Sequence, residues 1–185
     1  MTGSKFQFGN NVSANVERKR EVGNAFKPSG MFKLQHIRDG KVLQEQEFPN
    51  GVTDVGINSI LNIMFDADTQ ITTWYLSLID VVGFASVAAG DTMSSHAGWA
   101  EFTAYALGTR PVWNPDAAAA KVSVNSITID FTITGGAADL KGVFLTSDAV
   151  KSGTAGTLWA TAIFSSDIPV TGGDLIKLTY SVTGA

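Results

Sequence analysis

Cysteine is absent from the 185-residue chain, which excludes disulfides, thiolate metal sites and a cysteine nucleophile. Charge is scarce. Asp, Glu, Lys and Arg make up 16% of the residues, against about 25% in an average globular domain. Histidine occurs twice, as His36 and His96. No apolar run approaches the roughly 18 residues of a membrane-spanning helix. The opening residues, MTGSKFQFGNNVSANVERKR, contain no apolar signal core, so neither membrane nor secretory targeting is expected.

What the chain does contain is a globular share of apolar residues, 44%, which argues against intrinsic disorder of the whole. The length suits one ordinary domain, large enough to bury roughly 70% of the surface of the unfolded chain. A net charge of −4 with a pI near 5.0 argues against a general nucleic-acid binder. These quantities describe a soluble, cysteine-free globular protein and leave its function open.

The charge is unevenly spread. Up to Glu47 the basic residues are Lys5, Arg18, Lys19, Arg20, Lys27, Lys33, Arg38 and Lys41, against five acids. From Phe48 onward five basic residues face twelve acids, eleven of them Asp. A basic front on an acidic body marks either an interaction arm or a flexible terminus dominated by one cluster, Arg18-Lys19-Arg20. Residues 1–30 are rich in Asn, Ser, Gly and Lys and show neither a period of 2 nor one of 3.6. The chain therefore divides into an extended N-terminal arm, 1–30, and a body, 31–185. Phe6, Phe8 and Phe26 punctuate the polar arm, and a purely solvated tail has little use for them. They read as partner-binding anchors, with Arg18, Lys19 and Arg20 facing acidic patches.

The body alternates with period 2. Met31–Arg38 and Val42–Phe48 flank Asp39-Gly40, a dipeptide suited to tight hairpin turns because Gly tolerates positive φ. Thr53 to about Phe65 is the one helix candidate. Thr53 is placed to cap it, Asp54 suits the dipole in the first turn, and Ile57, Ile60, Leu61 and Met64 share a face. The Met64-Phe65 end is assigned to the core, and Gly56 to close packing on a sheet. Further strands are expected at Thr73–Asp80, Trp99–Ala106, Val122–Ile133, Lys141–Ser147, Thr157–Phe164 and Asp174–Thr183. A parity switch at Asn125-Ser126 predicts a bulge. The pattern describes an all-β antiparallel β-sandwich with one helix near 53–65. Its expected core is Trp74, Leu76, Leu78, Ile127, Ile129, Phe131, Phe144, Ile176, Leu178 and Tyr180.

Chemistry-bearing patterns are sparse. His36 falls inside a strand and reads as a half-exposed structural residue. His96 directly follows Ser95, without the sequence separation and third group of a catalytic triad. A loop-bracing hydrogen bond suits it better. Two isolated histidines do not make a zinc site. Asp66 and Asp68 have calcium-like spacing but lack the Gly and Glu of an EF-hand loop. Gly153-Thr154-Ala155-Gly156 lacks the Lys-Ser/Thr of a phosphate loop. Trp74, Trp99, Trp113 and Trp159 fit core packing or a subunit interface better than a sugar platform. No catalytic residue, metal site or cofactor is expected, and the chain reads as a non-enzyme.

Six segments in order carry a resemblance. They are Trp74-Tyr75-Leu76-Ser77-Leu78-Ile79-Asp80, Asp91-Thr92-Met93, His96-Ala97-Gly98-Trp99, Thr109-Arg110-Pro111 with Trp113, Gly142-Val143-Phe144-Leu145-Thr146 and Gly156-Thr157-Leu158-Trp159. Across roughly 31–183 the chain resembles small β-rich virion structural proteins of tailed bacteriophages. The resemblance implies a particle component, assembled in the host cytoplasm and located in the virion. The expected function is a capsid decoration or cement protein that binds and stabilises the head shell. Its expected partners are the major capsid protein or other virion proteins and copies of itself in a homo-oligomer, with no nucleic acid and no membrane. A neck, tail or fibre-base component is the first alternative, and a receptor- or carbohydrate-binding module the second. The absence of cysteine suits assembly in a reducing cytoplasm.

Overall fold

The computed structural model describes residues 27–184. The first hairpin joins β1 (Pro28–Arg38) to β2 (Lys41–Pro49) through Asp39-Gly40, with φ of 49° and 73°. Both residues are left-handed, as a two-residue turn matched to strand twist requires. Strand β1 starts three residues before the expected boundary at Met31, and Pro28–Gly30 pair with Val182–Gly184.

After β3 (Gly51–Val52), helix α1 (Asp54–Phe65) begins as expected, with Thr53 as its cap. The remaining strands are β4 (Trp74–Asp80), β5 (Glu101–Phe102), β6 (Val112–Trp113), β7 (Val122–Val124), β8 (Ile129–Thr132), β9 (Ala138–Thr146), β10 (Leu158–Val170) and β11 (Leu175–Gly184). All pair antiparallel in two sheets. One runs β2-β1-β11, with β7 and β8 both on the far edge of β11. The other runs β3-β10-β9-β4, with β5 and β6 both on β4. The all-β sandwich is thus the observed architecture. The long strand expected at Trp99–Ala106 is reduced to β5, because the chain there serves a buried ion pair described below.

Inner faces follow the alternation of the sequence. Phe32, Leu34, Phe131, Ile176, Leu178 and Tyr180 from one sheet meet Leu76, Leu78, Val143, Leu145 and Ala160 from the other, all 0–1% exposed. Aromatic contacts cross the gap. Phe48 meets Phe164 edge-on at 5.0 Å, and Trp113 meets Tyr180 at 5.3 Å. Tyr180 also accepts hydrogen bonds from Trp159 Nε1 (3.0 Å) and Asn50 Nδ2 (2.9 Å) through its hydroxyl. Burial pushes that phenol well above its ordinary pKa. The Tyr180 ring lies across β1 at Gly30, where a Cβ would come within 2.6 Å of it. A side chain at position 30 would displace the residue that ties the sheets together.

The expected Val122–Ile133 strand is interrupted rather than bulged. β7 pairs with Ser181–Thr183 and β8 with Leu175–Leu178, which leaves a gap in the β11 ladder. The buried side chain of Asn125 fills it. Its Oδ1 accepts from the Tyr180 backbone N–H (2.7 Å) and from Trp113 Nε1 (3.1 Å), and its Nδ2 donates to Ile127 O (2.7 Å) and Leu178 O (3.4 Å). One amide thus satisfies groups that a continuous strand would have paired. The loop it holds pushes Ile127 outward to 81% exposure, which corrects its place in the expected core. Trp74 is likewise half-buried rather than core. The other eight expected core residues are buried.

Candidate functional site

The buried titratable side chains of the body hold loops in place. Arg110 is 1% exposed. It grips Glu101 with two parallel bonds, Nε to Oε1 (3.0 Å) and Nη2 to Oε2 (2.8 Å). It also donates to the carbonyls of Asp148 (2.9 Å) and Gly153 (3.1 Å). Glu101 in turn accepts from Ser77 Oγ (2.5 Å) and the Ser152 N–H (2.6 Å). This knot fastens the 101–110 segment and the 148–153 loop to β4. Tyr105 donates to Ser77 Oγ (3.1 Å), and burial pushes its phenol up to about 12. Lys151 sits 3.6 Å over the Tyr105 ring, and burial lowers its pKa. Spacing could not reveal the pair, because Glu101 and Arg110 are nine residues apart, one on β5 and the other in the connection to β6. The only sequence signal was that Glu101 is the sole Glu after Glu47.

His36 is 2% exposed, not half-exposed. It lies on the inner face of β1, where its Nε2 meets Asp174 Oδ2 at 2.9 Å. Arg38 donates Nε (2.7 Å) and Nη2 (2.7 Å) to the same carboxylate, and Thr171 adds its backbone N–H (2.9 Å). The Arg38 bonds, above all, hold Asp174 well below the usual carboxylate range. A carboxylate depressed in the folded state contributes stability in full above its unfolded pKa, near 3.9, and loses it as pH falls through the folded value. The stability difference between the wild type and Asp174→Asn is therefore expected to be flat above about pH 5 and to shrink below it. Urea melts from pH 7 to pH 3 measure this. A difference that stays constant to pH 3 would show that the clamp does not depend on charge.

His96 braces its loop as expected. Its Nδ1 bonds to Trp99 O at 3.0 Å, and its ring stacks on Trp99 at 3.9 Å. Asp66 is the residue that closes α1, with its N–H bonded to Asn62 O, and Asp68 accepts from the Thr69 N–H (2.8 Å). Both do turn work. No group of three or more potential metal ligands occurs among the described residues.

The prominent surface feature is apolar. Thr53 Oγ1 accepts the Gly56 N–H (3.1 Å) and donates to Leu158 O (2.5 Å), which locks the start of α1 onto β10. Gly56 permits this approach, since a Cβ there would meet Trp159 O at 2.6 Å. The contact extends as far as Ile60, which packs against the core between the sheets. Further along, the helix loses its backing, and Met64 and Phe65 are 67% and 82% exposed. They are not core, contrary to the expectation from helical periodicity. Beneath the free half of the helix opens a cleft of about 680 Å³. Ile60, Ile63 and Met64 form one wall, and Trp74, Trp113 and Trp159 reach it from the sheet. Ser123 and Val182 close it on the side of the other sheet, and no lining residue is charged.

Phe6, Phe8, Arg18, Lys19, Arg20 and Phe26 lie outside the described residues. The root of their segment is within them. Pro28 pairs with Gly184, two residues from Val182, so the start of β1 lies roughly 7 Å along the strand from the cleft wall. No family model and no curated protein matches the chain.

Proposed function

We propose that this chain is a non-enzymatic structural component of a tailed-bacteriophage particle, a decoration or cement protein that binds the head shell as a homo-oligomer. The observation that carries the reading is the pairing of an uncharged apolar cleft with the root of a segment bearing Phe6, Phe8 and Phe26. A built-in arm beside a built-in receptor surface is what a clamp between neighbouring subunits needs. The ordered resemblance supports the same reading, and several of its segments compose structural parts: β4, the Arg110 knot, the end of β9 and the start of β10. The mechanism is mass action. A protein that binds the assembled shell and not its separated parts shifts the equilibrium toward the shell.

The phenylalanines supply most of the affinity, at about 1.5–3 kcal/mol for each one fully buried. Arg18, Lys19 and Arg20 add exposed pairs that contribute less and weaken with salt. Co-sedimentation with particles that lack the protein is the test. The full chain is expected to bind in a copy number matching the capsid subunits, and the Phe6→Ser, Phe8→Ser, Phe26→Ser triple variant to bind poorly. A copy number matching a neck or tail ring transfers the protein there. Undiminished binding by the triple variant ends the anchor assignment.

A further inference from the structure

We infer that the apolar cleft is the receptor for the Phe6-Gln7-Phe8 segment of a second copy of this chain. The inference rests on the arm of the reading above, though not on the particle. Three observations select the occupant.

The first is polarity. The cleft lining contains no charge, and burying an ionised group there without a partner is costly. An apolar segment suits it. Phe6 and Phe8 stand two apart, so an extended backbone presents both rings on one side.

The second is the charge around the cleft. Asp66 and Asp68 connect α1 to the lining residue Gln70, and Asp116 follows the lining residue Pro115; all three are exposed. The last turn of α1 has no basic residue, so the negative end of the helix dipole adds to them. The segment that brings in Phe6 and Phe8 also brings Arg18-Lys19-Arg20.

The third is reach. From Pro28 back to Phe8 is twenty residues, about 65 Å when extended. The 158 described residues form a body about 40 Å across. That span exceeds the width of the body, so the length of this segment is enough to bring Phe6 and Phe8 to the cleft of a neighbour. Reciprocal insertion by two copies closes the contact.

The test uses the purified full chain alone, without particles, so its failure is separable from failure of the particle reading. Sedimentation velocity is expected to show a closed oligomer for the wild type. Phe6→Ser with Phe8→Ser should weaken association at least about 100-fold, the order expected when two buried phenylalanine side chains are lost. Met64→Asp with Val112→Asp should do the same from the cleft side. Both positions are exposed, at 67% and 48%, so melting temperature should not move. Neither double variant associates with itself, yet a one-to-one mixture should form a complex, because one partner keeps its cleft and the other its segment. A monomeric wild type overturns the inference, as does a cleft variant that still assembles or a mixture that stays monomeric.

Discussion

Replacing Arg110 with alanine is expected to cost about 3–5 kcal/mol, because removing one partner of a buried ion pair leaves the other charge uncompensated. The geometry makes this an unusually exposed case for that argument. Arg110 and Glu101 side chains are 1% and 5% accessible. Glu101 would keep only Ser77 and the Ser152 N–H as partners. The carbonyls of Asp148 and Gly153 would lose their donors as well. Native domains are stable by only about 5–15 kcal/mol, so the variant should sit near its folding threshold. Arg110→Lys should recover little, since an ammonium cannot reproduce the two-pronged grip on a carboxylate. A double variant, Arg110→Met with Glu101→Gln, should recover part of the loss: the Glu101 charge is gone, while the Asp148 carboxylate, 3.5 Å from Arg110 Nη1, still loses that partner. Denaturant midpoints at constant slope measure all three. A loss below 1 kcal/mol for Arg110→Ala would mean that water or a rearranged loop takes over the carboxylate.

Phe131→Ala is expected to cost a similar 3–5 kcal/mol, by a different route. Phe131 is fully buried and stands edge-on to Tyr105 at 5.0 Å. Truncation removes apolar area from the core and leaves a cavity that two hydrogen-bonded sheets are poorly able to close. The site is also where the chain re-enters the sheet after the Asn125 loop, so it reports whether β8 is held as described. A loss under 1 kcal/mol would place Phe131 on the wrong face. Ile127→Ala, four residues earlier with the same parity but 81% exposed, should change stability by less than about 0.5 kcal/mol. The contrast between the two is the sharper measurement.

That contrast also marks where sequence reading stops. Ile127, Ile129, Phe131 and Ile133 share one parity, and periodicity places them on one face. Periodicity assumes a continuous strand. It does not register that Asn125 takes over the ladder positions of β11 and throws Ile127 into a loop. Asn125 entered the sequence reading only as the place of a parity switch, because nothing local distinguishes a solvated amide from a buried one with four partners. The helix failed in a related way. Ile57, Ile60, Leu61 and Met64 describe an apolar face, yet Ile60 packs on the core while Leu61 and Met64 are left exposed. The unsatisfied remainder of that face is what opens the cleft.

Local chemistry, by contrast, was determined by the sequence alone. Asp39-Gly40 makes its turn because two left-handed residues are needed within two positions. Thr53 caps because its hydroxyl reaches an N–H three residues on. Strand alternation placed Leu76, Leu78, Phe131, Ile176 and Leu178 inside, because side chains on a pleated strand alternate whatever lies across from them. Those interactions span a few residues, and their geometry is a property of the chain. The tertiary structure alone decided the rest: the Glu101–Arg110 knot, the burial of His36 against Asp174 across 138 positions, the gap-filling Asn125 and the uncovered end of α1. Each depends on which distant segment arrives opposite. That is settled by the packing of two whole sheets, and no spacing along the chain encodes it.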